Sequence, residues 1–177
     1  MRTLIFAAIG WIVFQILLIG CMSKSRSFGK PPISWPALIL AKAAIAVSLI
    51  LMMRRAASGG AILQPFATVP FLLLLLGGTV VMTAAMSGLG RNLRMGLPQD
   101  ETVLVTSGIY RLSRNPIYLG IFLIMGASLI YAFSWVNLIA VGVGFLLHHR
   151  IVLAEERFLR RQFSGYEAYC RQVRRWI

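Results

Sequence analysis

Long apolar runs separated by short polar segments dominate this chain. The first three runs are Leu4–Met22, Pro36–Met53 and Pro65–Leu89. A fourth stretch, Ile117–Leu147, carries no formal charge over its whole length. About 20 apolar residues suffice for a helix to cross a bilayer. The pattern therefore predicts an all-α integral membrane protein.

The stretch Ile117–Leu147 is too long for one span and fits two short ones. As a single helix it would measure about 46 Å, against a hydrocarbon core of roughly 30 Å. As a helical hairpin it would turn near Phe133–Asn137. The hairpin leaves 14 basic residues on one side of the membrane and three on the other, whereas a single helix divides them ten against seven. Because cytoplasmic loops collect Lys and Arg, the hairpin is favoured.

The resulting prediction is one membrane domain with about five transmembrane helices. Residues 1–90 hold three spans, 91–116 form a cytoplasmic loop, 117–147 form the hairpin and 148–177 form a C-terminal cytoplasmic amphipathic helical segment. The charge distribution places the N-terminus outside and the C-terminus in the cytoplasm. The short loops favour a bacterial inner membrane over the endoplasmic reticulum.

Three residues of the predicted N-terminal spans leave questions open. The residues before Cys21 resemble a lipoprotein cleavage box, but further spans follow, which favours a first transmembrane helix over a signal peptide. Lipidation of Cys21 stays open. Lys42 lies near the start of its span, where a lysine is expected to snorkel to the interface. Substrate contact by Lys42 or Gln15 also stays open.

Composition and charge exclude several classes of protein. The chain is 58% hydrophobic and 13% charged, which argues against a soluble domain. The net charge of +13 fits anionic lipid headgroups better than nucleic acid, for which no binding module is present. No P-loop or dinucleotide-binding motif occurs. His148 and His149 are adjacent and diverge by about 100° on a helix, so no metal site is predicted.

The few acidic residues lie in the second half of the chain, on the predicted cytoplasmic face. Glu155 and Glu156 diverge by about 100° on a helix, so one is expected to face a pocket. The other is expected to pair at the surface with Arg160 or with a polar neighbour of Leu159, and the sequence leaves open which glutamate is which. Asn115-Pro116 is a candidate helix start, where free backbone N–H groups can receive an anionic ligand group.

Two motifs resemble a known family. Residues 104–120 read LVTSGIYRLSRNPIYLG, and the tail carries Glu155-Glu156, Phe163, Tyr166 and Tyr169 in that order. Together they resemble the signature of the isoprenylcysteine carboxyl methyltransferase and phospholipid methyltransferase group, over roughly residues 88–177. Many members of that group have His where this chain has Asn115, so a titratable side chain is not essential at this position.

The resemblance implies an S-adenosylmethionine-dependent integral membrane methyltransferase, with S-adenosylhomocysteine as product. It implies a cytosol-facing cofactor pocket that the C-terminal segment closes, and a lipophilic or small substrate that enters from the bilayer lipids. The methyl acceptor and the oligomeric state stay open. The alternatives are an NADPH-dependent membrane reductase of sterol-reductase type and a non-catalytic membrane subunit.

The site residues follow from the resemblance position by position. The implied cofactor-binding residues are Arg114, Asn115, Pro116, Tyr118, Leu119, Gly120 and, with weaker support, His149. Gly120 would allow the ligand to approach the helix closely. The implied catalytic residues are Arg150, Glu155 and Glu156. A carboxylate acceptor would need a cation such as Arg150 or Arg114, whereas an amine or thiol would need a base such as Glu155 or Glu156.

Overall fold

The computed structural model describes residues 31–58, 65–90, 93 and 103–177, together with Phe6 and Gly10. All regular structure in these residues is helical. The helices are α1 (Trp35–Ala57), α2 (Pro65–Leu89), α3 (Pro116–Tyr131), α4 (Trp135–Gln162) and α5 (Tyr166–Gln172), and a 3-10 turn at Gly108–Arg111 precedes α3. The predicted first span lies almost entirely outside the described residues, as do Gln15 and Cys21.

Three of the helices are long and apolar enough to cross a membrane. These are α1, α2 from Phe66 onwards, and α4. Helix α3 is also apolar but has 16 residues, which is about 24 Å against a hydrocarbon core of roughly 30 Å. The prediction of an all-α integral membrane protein is confirmed, and the count of five spans stays a prediction.

The charge-free stretch Ile117–Leu147 divides into two helices, α3 and α4, with a break at Ala132–Ser134. The Ser134 hydroxyl accepts a hydrogen bond from the backbone N–H of Asn137 at 3.1 Å, which caps the start of α4. The Asn137 side-chain amide donates to the carbonyl of Ala132 at 3.1 Å. These polar groups stabilise the turn inside apolar surroundings, where unpaired backbone groups would be costly.

Helix α4 does not end where the sequence suggested. It continues past Leu147 to Gln162, so the first half of the predicted tail belongs to the same helix as the second arm of the hairpin. No glycine or proline occurs from 145 to 162, and the onset of charge at Arg150 alone does not interrupt a helix. The remainder of the tail forms the short helix α5 and an extended end.

Helices α2 and α3 form the most extensive packing contact and run antiparallel. Phe71, early in α2, stacks on Tyr131 at the end of α3, with ring centroids 5.1 Å apart. Further along α2, Gly78 meets Gly120 so closely that a Cβ on Gly120 would lie 2.7 Å from the Gly78 carbonyl oxygen. Small residues let helix backbones approach in this way within membranes. Leu75 lies buried in the same interface.

Several ionisable and hydrogen-bonding side chains lie together at one end of the helix bundle. The Tyr110 hydroxyl donates to the carbonyl of Ala85, which joins the 3-10 turn to the C-terminal part of α2. Lys42, early in α1, interacts electrostatically with Glu155, late in α4. Asn115, just before α3, contacts Glu156. The start of α1, the end of α2, the start of α3 and the end of α4 therefore lie at this polar end.

Candidate active site

The junction between the 3-10 turn and α3 supplies the first part of the site. Pro116 occupies the first turn of α3, where its missing N–H is not needed for helical bonding. Asn115 precedes it as the N-cap residue but makes no side-chain cap bond. Its side-chain amide donates instead to Glu156 Oε1 at 2.9 Å. A residue 41 positions away in sequence is thus bonded directly to the start of the helix.

Glu156 is the centre of a buried ionic cluster. It is 3% exposed, and its carboxylate accepts hydrogen bonds from Arg175 Nε at 3.1 Å and Arg175 Nη2 at 2.8 Å. Arg114 Nη2 lies 3.3 Å from Glu156 Oε1. These hydrogen bonds to Glu156 raise the pKa of Arg175. We call Arg114, Asn115, Glu156 and Arg175 the Glu156 cluster. Its two cations satisfy a carboxylate that would otherwise be buried without compensation.

The chain end is fastened to the segment before α3. The backbone N–H of Arg114 donates to the carbonyl of Arg174 at 3.0 Å, and the Ser113 hydroxyl donates to that of Arg175 at 3.0 Å. Arg114 Nη1 donates to the carbonyls of Cys170 and Val173. The tail therefore lies across the start of α3, held by backbone groups as well as by charge.

Helix α5 docks through two buried tyrosines. The rings of Tyr166 and Tyr169 meet edge to face with centroids 5.9 Å apart. The Tyr169 hydroxyl donates to the carbonyl of Tyr110. Burial raises the pKa of Tyr169 to about 12, so the hydroxyl stays protonated as a donor at neutral pH. These side chains pack the tail onto the 3-10 turn.

A second polar group lies where α1, α3 and α4 meet. The Tyr118 hydroxyl donates to Glu155 Oε1 at 2.7 Å. Lys42 interacts electrostatically with the same carboxylate. The imidazole of His148, 1% exposed, lies with its centroid 6.0 Å from that of the Tyr118 ring. We call Lys42, Tyr118, His148 and Glu155 the Glu155 cluster.

Both glutamates therefore face polar partners inside the fold. The expectation that one of them pairs with Arg160 at the surface is wrong, because Arg160 pairs with Glu167 at 2.7 Å. The spacing of residues along α4 could indicate only a partner on the same helix, such as Arg160 four residues after Glu156. The guanidinium groups that bind Glu156 come from the segment before α3 and from the tail, so helix periodicity could not indicate them.

Gly120 lies where α3 crosses α2, and its expected contact with the cofactor stays a prediction. It faces α2, where an added Cβ would meet the Gly78 carbonyl at 2.7 Å and the Met82 Cβ at 2.8 Å. The close crossing of two helices is sufficient to explain the absence of a side chain at Gly120. Leu119, the preceding residue, is half-buried, and Pro116 is buried.

The two remaining predicted residues lie on α4. Arg150 is exposed, and no hydrogen bond or ion pair joins it to either cluster within the described part of the chain. The half-buried ring of His149 is stacked with Phe145 at 6.2 Å and tilted against Trp176 at 5.9 Å. Phe122 closes this aromatic group, with its ring 5.3 Å from that of Trp176.

Sequence reasoning missed Arg175, Trp176 and His148. Arg175 is one of two adjacent arginines in a basic tail, and nothing in the sequence separates the residue that binds Glu156 from its neighbour. Trp176 carried one weak signal, as an aromatic residue at the end of a polar segment. His148 was considered only as half of a metal-binding pair. No cluster of three metal-ligating side chains occurs among the residues that the structure describes.

Several buried polar atoms near the two clusters have no hydrogen-bond partner among the described residues. They are Arg114 Nε, His148 Nε2 and His149 Nδ1. Buried polar atoms in folded proteins are nearly always satisfied, so such atoms indicate a place for a polar ligand. S-adenosylmethionine presents a carboxylate, an ammonium group, ribose hydroxyls and an adenine, which can supply both donors and acceptors. The residues present fit a ligand of this chemistry.

The fold and the site thus define an integral membrane protein with a buried polar site at one end of its helices. The family model for phospholipid methyltransferases matches residues 67–165, more than half of the chain. The protein belongs to the phospholipid methyltransferase family, which confirms the resemblance seen in the sequence. No match to a curated protein or to a solved structure was found. The family supports a membrane methyltransferase of the S-adenosylmethionine-dependent kind.

Proposed function

We propose that this protein transfers a methyl group from S-adenosylmethionine to a lipophilic acceptor that reaches the site from the bilayer. The observation that carries the proposal is the bond between Asn115 and Glu156. It joins the two motif segments of the chain in one buried cluster, and both Asn115 and Glu156 lie within the family match. This contact supports a polar site formed by the matched residues, in addition to their hydrophobic packing.

The Glu156 cluster is the proposed donor site. Arg114 Nε is buried and without a partner in the described chain, so it can donate to the carboxylate of the donor. The free first-turn N–H groups of α3 add neutral donors beside it. His149 Nδ1 is available to a hydroxyl or amino group. S-adenosylmethionine, when bound, supplies a methyl group already activated by its sulfonium, so the residues contribute chiefly position.

Glu156 acts as a positioning residue in this proposal. Its carboxylate already binds two guanidinium groups and one amide, which leaves it poorly placed to accept a proton. Its effect is to fix Arg114 and Asn115 in the orientation that the donor requires. The tail contributes through Arg175, which closes the cluster from the chain end.

The Glu155 cluster is the proposed acceptor site. It lies at the meeting point of three helices, and Lys42 reaches it from the exposed face of α1, which the bilayer can approach. A carboxylate acceptor would need a free cation. Arg114 is engaged with the tail and assigned to the donor, and Arg150 is exposed and not bonded to either cluster. Lys42 already interacts electrostatically with Glu155. An acceptor that presents a hydrogen to Glu155 fits this site better.

We place the polar end of the helix bundle in the cytoplasm. The start of α1, the end of α2, the start of α3 and the end of α4 lie together there, which agrees with the topology that gives 14 basic residues on one side and three on the other. A reporter fused to the C-terminus tests this orientation. Activity of a fused reporter that functions only in the cytoplasm supports this orientation. Activity of a fused reporter that functions only after export contradicts it.

The experiment for the proposed function is methyl labelling with purified protein. The protein is incubated with methyl-labelled S-adenosylmethionine and a total extract of membrane lipids and small thiols, and the labelled product is identified by mass spectrometry. Glu155→Gln and Asn115→Leu should lose labelling, while Glu167→Gln, which alters an exposed ion pair, should retain it.

Two other results would replace the proposal with its alternatives. Tight binding of NADPH, with no labelled product, would indicate a membrane reductase. Failure to bind S-adenosylhomocysteine at millimolar concentration, together with no labelled product, would indicate a non-catalytic subunit.

A further inference from the structure

His148 is a buried side chain whose hydrogen bonding fixes the position of its proton. Nδ1 lies 2.7 Å from the backbone carbonyl oxygen of Gly144, one turn earlier on α4. A carbonyl oxygen can only accept a hydrogen bond, so Nδ1 carries the hydrogen. In the neutral ring, Nε2 therefore carries the lone pair.

The Nε2 atom of this ring has no hydrogen-bond partner in the described part of the chain, although it is buried. The residue as a whole is 1% exposed. Since buried polar atoms are normally paired, an unpaired nitrogen inside a proposed site indicates that a ligand completes it. A lone pair can receive a hydrogen bond or a proton from that ligand.

Three neighbours define the surroundings of the ring. Lys42 approaches from α1 and Tyr118 from α3. Glu155 lies seven residues further along α4, on the same face of that helix. The Tyr118 hydrogen is already given to Glu155 at 2.7 Å. Nε2 is therefore a buried acceptor in this cluster that no described residue uses.

We propose that His148 Nε2 accepts the proton of the methyl acceptor, which is an amine or a thiol. This inference rests on the proposed function. A carboxylate acceptor would place its own lone pairs against those of Nε2 and Glu155, which is repulsive. An N–H or S–H group has the hydrogen that both of them can accept.

The proton and electron balance of the step is complete with the named donor. The lone pair of the acceptor nitrogen or sulfur forms the bond to the methyl carbon. The bond between that carbon and the sulfonium sulfur breaks, and its electron pair stays on the sulfur. The acceptor's proton moves to Nε2. The resulting imidazolium keeps its Nδ1 hydrogen bond to the Gly144 carbonyl.

A purely structural role for His148 would need only Nδ1. The bond to the Gly144 carbonyl fixes the side chain along α4, and Gly144 itself packs tightly, with Ala44 of α1 3.4 Å from the position of an added Cβ. Asparagine offers a side-chain N–H close to the position of Nδ1 and has no counterpart of Nε2. His148→Asn therefore separates the two roles.

The test compares the wild type with His148→Asn and with Glu167→Gln as the control for a surface change. Binding of S-adenosylhomocysteine is measured by calorimetry, and turnover is measured with methyl-labelled S-adenosylmethionine and the lipid and thiol extract. We expect His148→Asn to bind S-adenosylhomocysteine within about twofold of the wild type. We expect its turnover to fall about 100-fold or more, the usual contribution of a general base.

Two further measurements do not depend on the rate. The label should be stable to alkali, as in an N-methyl or S-methyl product, whereas a methyl ester would release labelled methanol. Nitrogen-15 NMR should assign the hydrogen of His148 to Nδ1. The chain has two histidines, so the spectrum of His148→Asn identifies the signals.

Three results would overturn the inference while leaving the proposed function in place. They are turnover of His148→Asn within threefold of the wild type, alkali-labile label, and loss of S-adenosylhomocysteine binding together with turnover in the variant. A wild-type protein that binds no S-adenosylhomocysteine would overturn the proposed function and this inference with it.

Discussion

Replacement of Glu156 by glutamine tests the buried cluster that joins α3, α4 and the tail. The variant keeps the shape of the side chain but removes its charge, so Arg114 and Arg175 lose their anionic partner. The two arginines differ in exposure, since the Arg114 side chain is 9% exposed and that of Arg175 is 33% exposed. Water can compensate Arg175, whereas Arg114 would remain largely buried without an anionic partner.

Removal of one partner from a buried ion pair costs about 3–5 kcal/mol. Because one of the two cations can be solvated, we expect Glu156→Gln to lower the free energy of unfolding by about 3 kcal/mol. Glu167→Gln is the matched control. Its ion pair with Arg160 is about half exposed on both sides, so its loss should cost about 0–1 kcal/mol.

The assay is reversible unfolding in detergent micelles, followed by tryptophan fluorescence. Trp176 lies next to Arg175 in sequence and contacts His149, so its emission should report release of the tail. The variant should unfold at lower denaturant concentration than both the wild type and the control. Equal stability of Glu156→Gln and Glu167→Gln would refute the assignment of Glu156 as a buried, doubly paired carboxylate.

Three further predictions concern the packing around the site. Gly120→Ala should destabilise the fold by about 1–3 kcal/mol, because its Cβ would lie 2.7 Å from the Gly78 carbonyl, whereas Gly142→Ala, with open space around it, should not. Thermal unfolding of both variants measures this, and equal transition temperatures would contradict the close helix crossing. Asn137→Leu should cost about 1–3 kcal/mol, because the Ala132 carbonyl loses its donor at the turn between α3 and α4. An Asn137→Leu variant as stable as the wild type in the same assay would contradict this. Burial raises the pKa of Tyr169 from the ordinary value of 10.0 to about 12, so the unfolded state ionises first as the pH rises. The stabilisation that Tyr169 contributes is therefore fully present below pH 10.0 and is lost as the pH rises through about 12. Tyr169→Phe should reduce this alkaline loss in a pH series of unfolding midpoints, and an unchanged slope would contradict it.

The membrane-spanning architecture could be predicted because the bilayer sets a length that apolar runs must match. The runs at Pro36–Met53 and Pro65–Leu89 correspond to α1 and α2 with small shifts at their ends. The turn near Phe133 was predictable for the same reason, since 31 uncharged residues exceed one crossing. The end of α4 could not be predicted in this way, because a change from apolar to charged residues marks the membrane interface and not the end of a helix.

The composition of the site could be predicted only in part. The motifs indicated Asn115 and the two glutamates, but their partners depend on where the tail runs after α5. Arg175 reaches Glu156 because Ser113 and Arg114 hold the tail backbone. Such long-range placement has no local signature in sequence. The role of Gly120 likewise depends on the crossing of α2, which periodicity within α3 does not specify.

Calorimetric titration of the purified protein with S-adenosylhomocysteine tests the central claim most directly. The account predicts saturable binding at one site in the wild type and in Glu167→Gln, and its loss in Asn115→Leu with the helical content unchanged. Equal binding by Asn115→Leu and the wild type would contradict the placement of the donor at the start of α3. No binding by the wild type at millimolar concentration would contradict the proposed function itself.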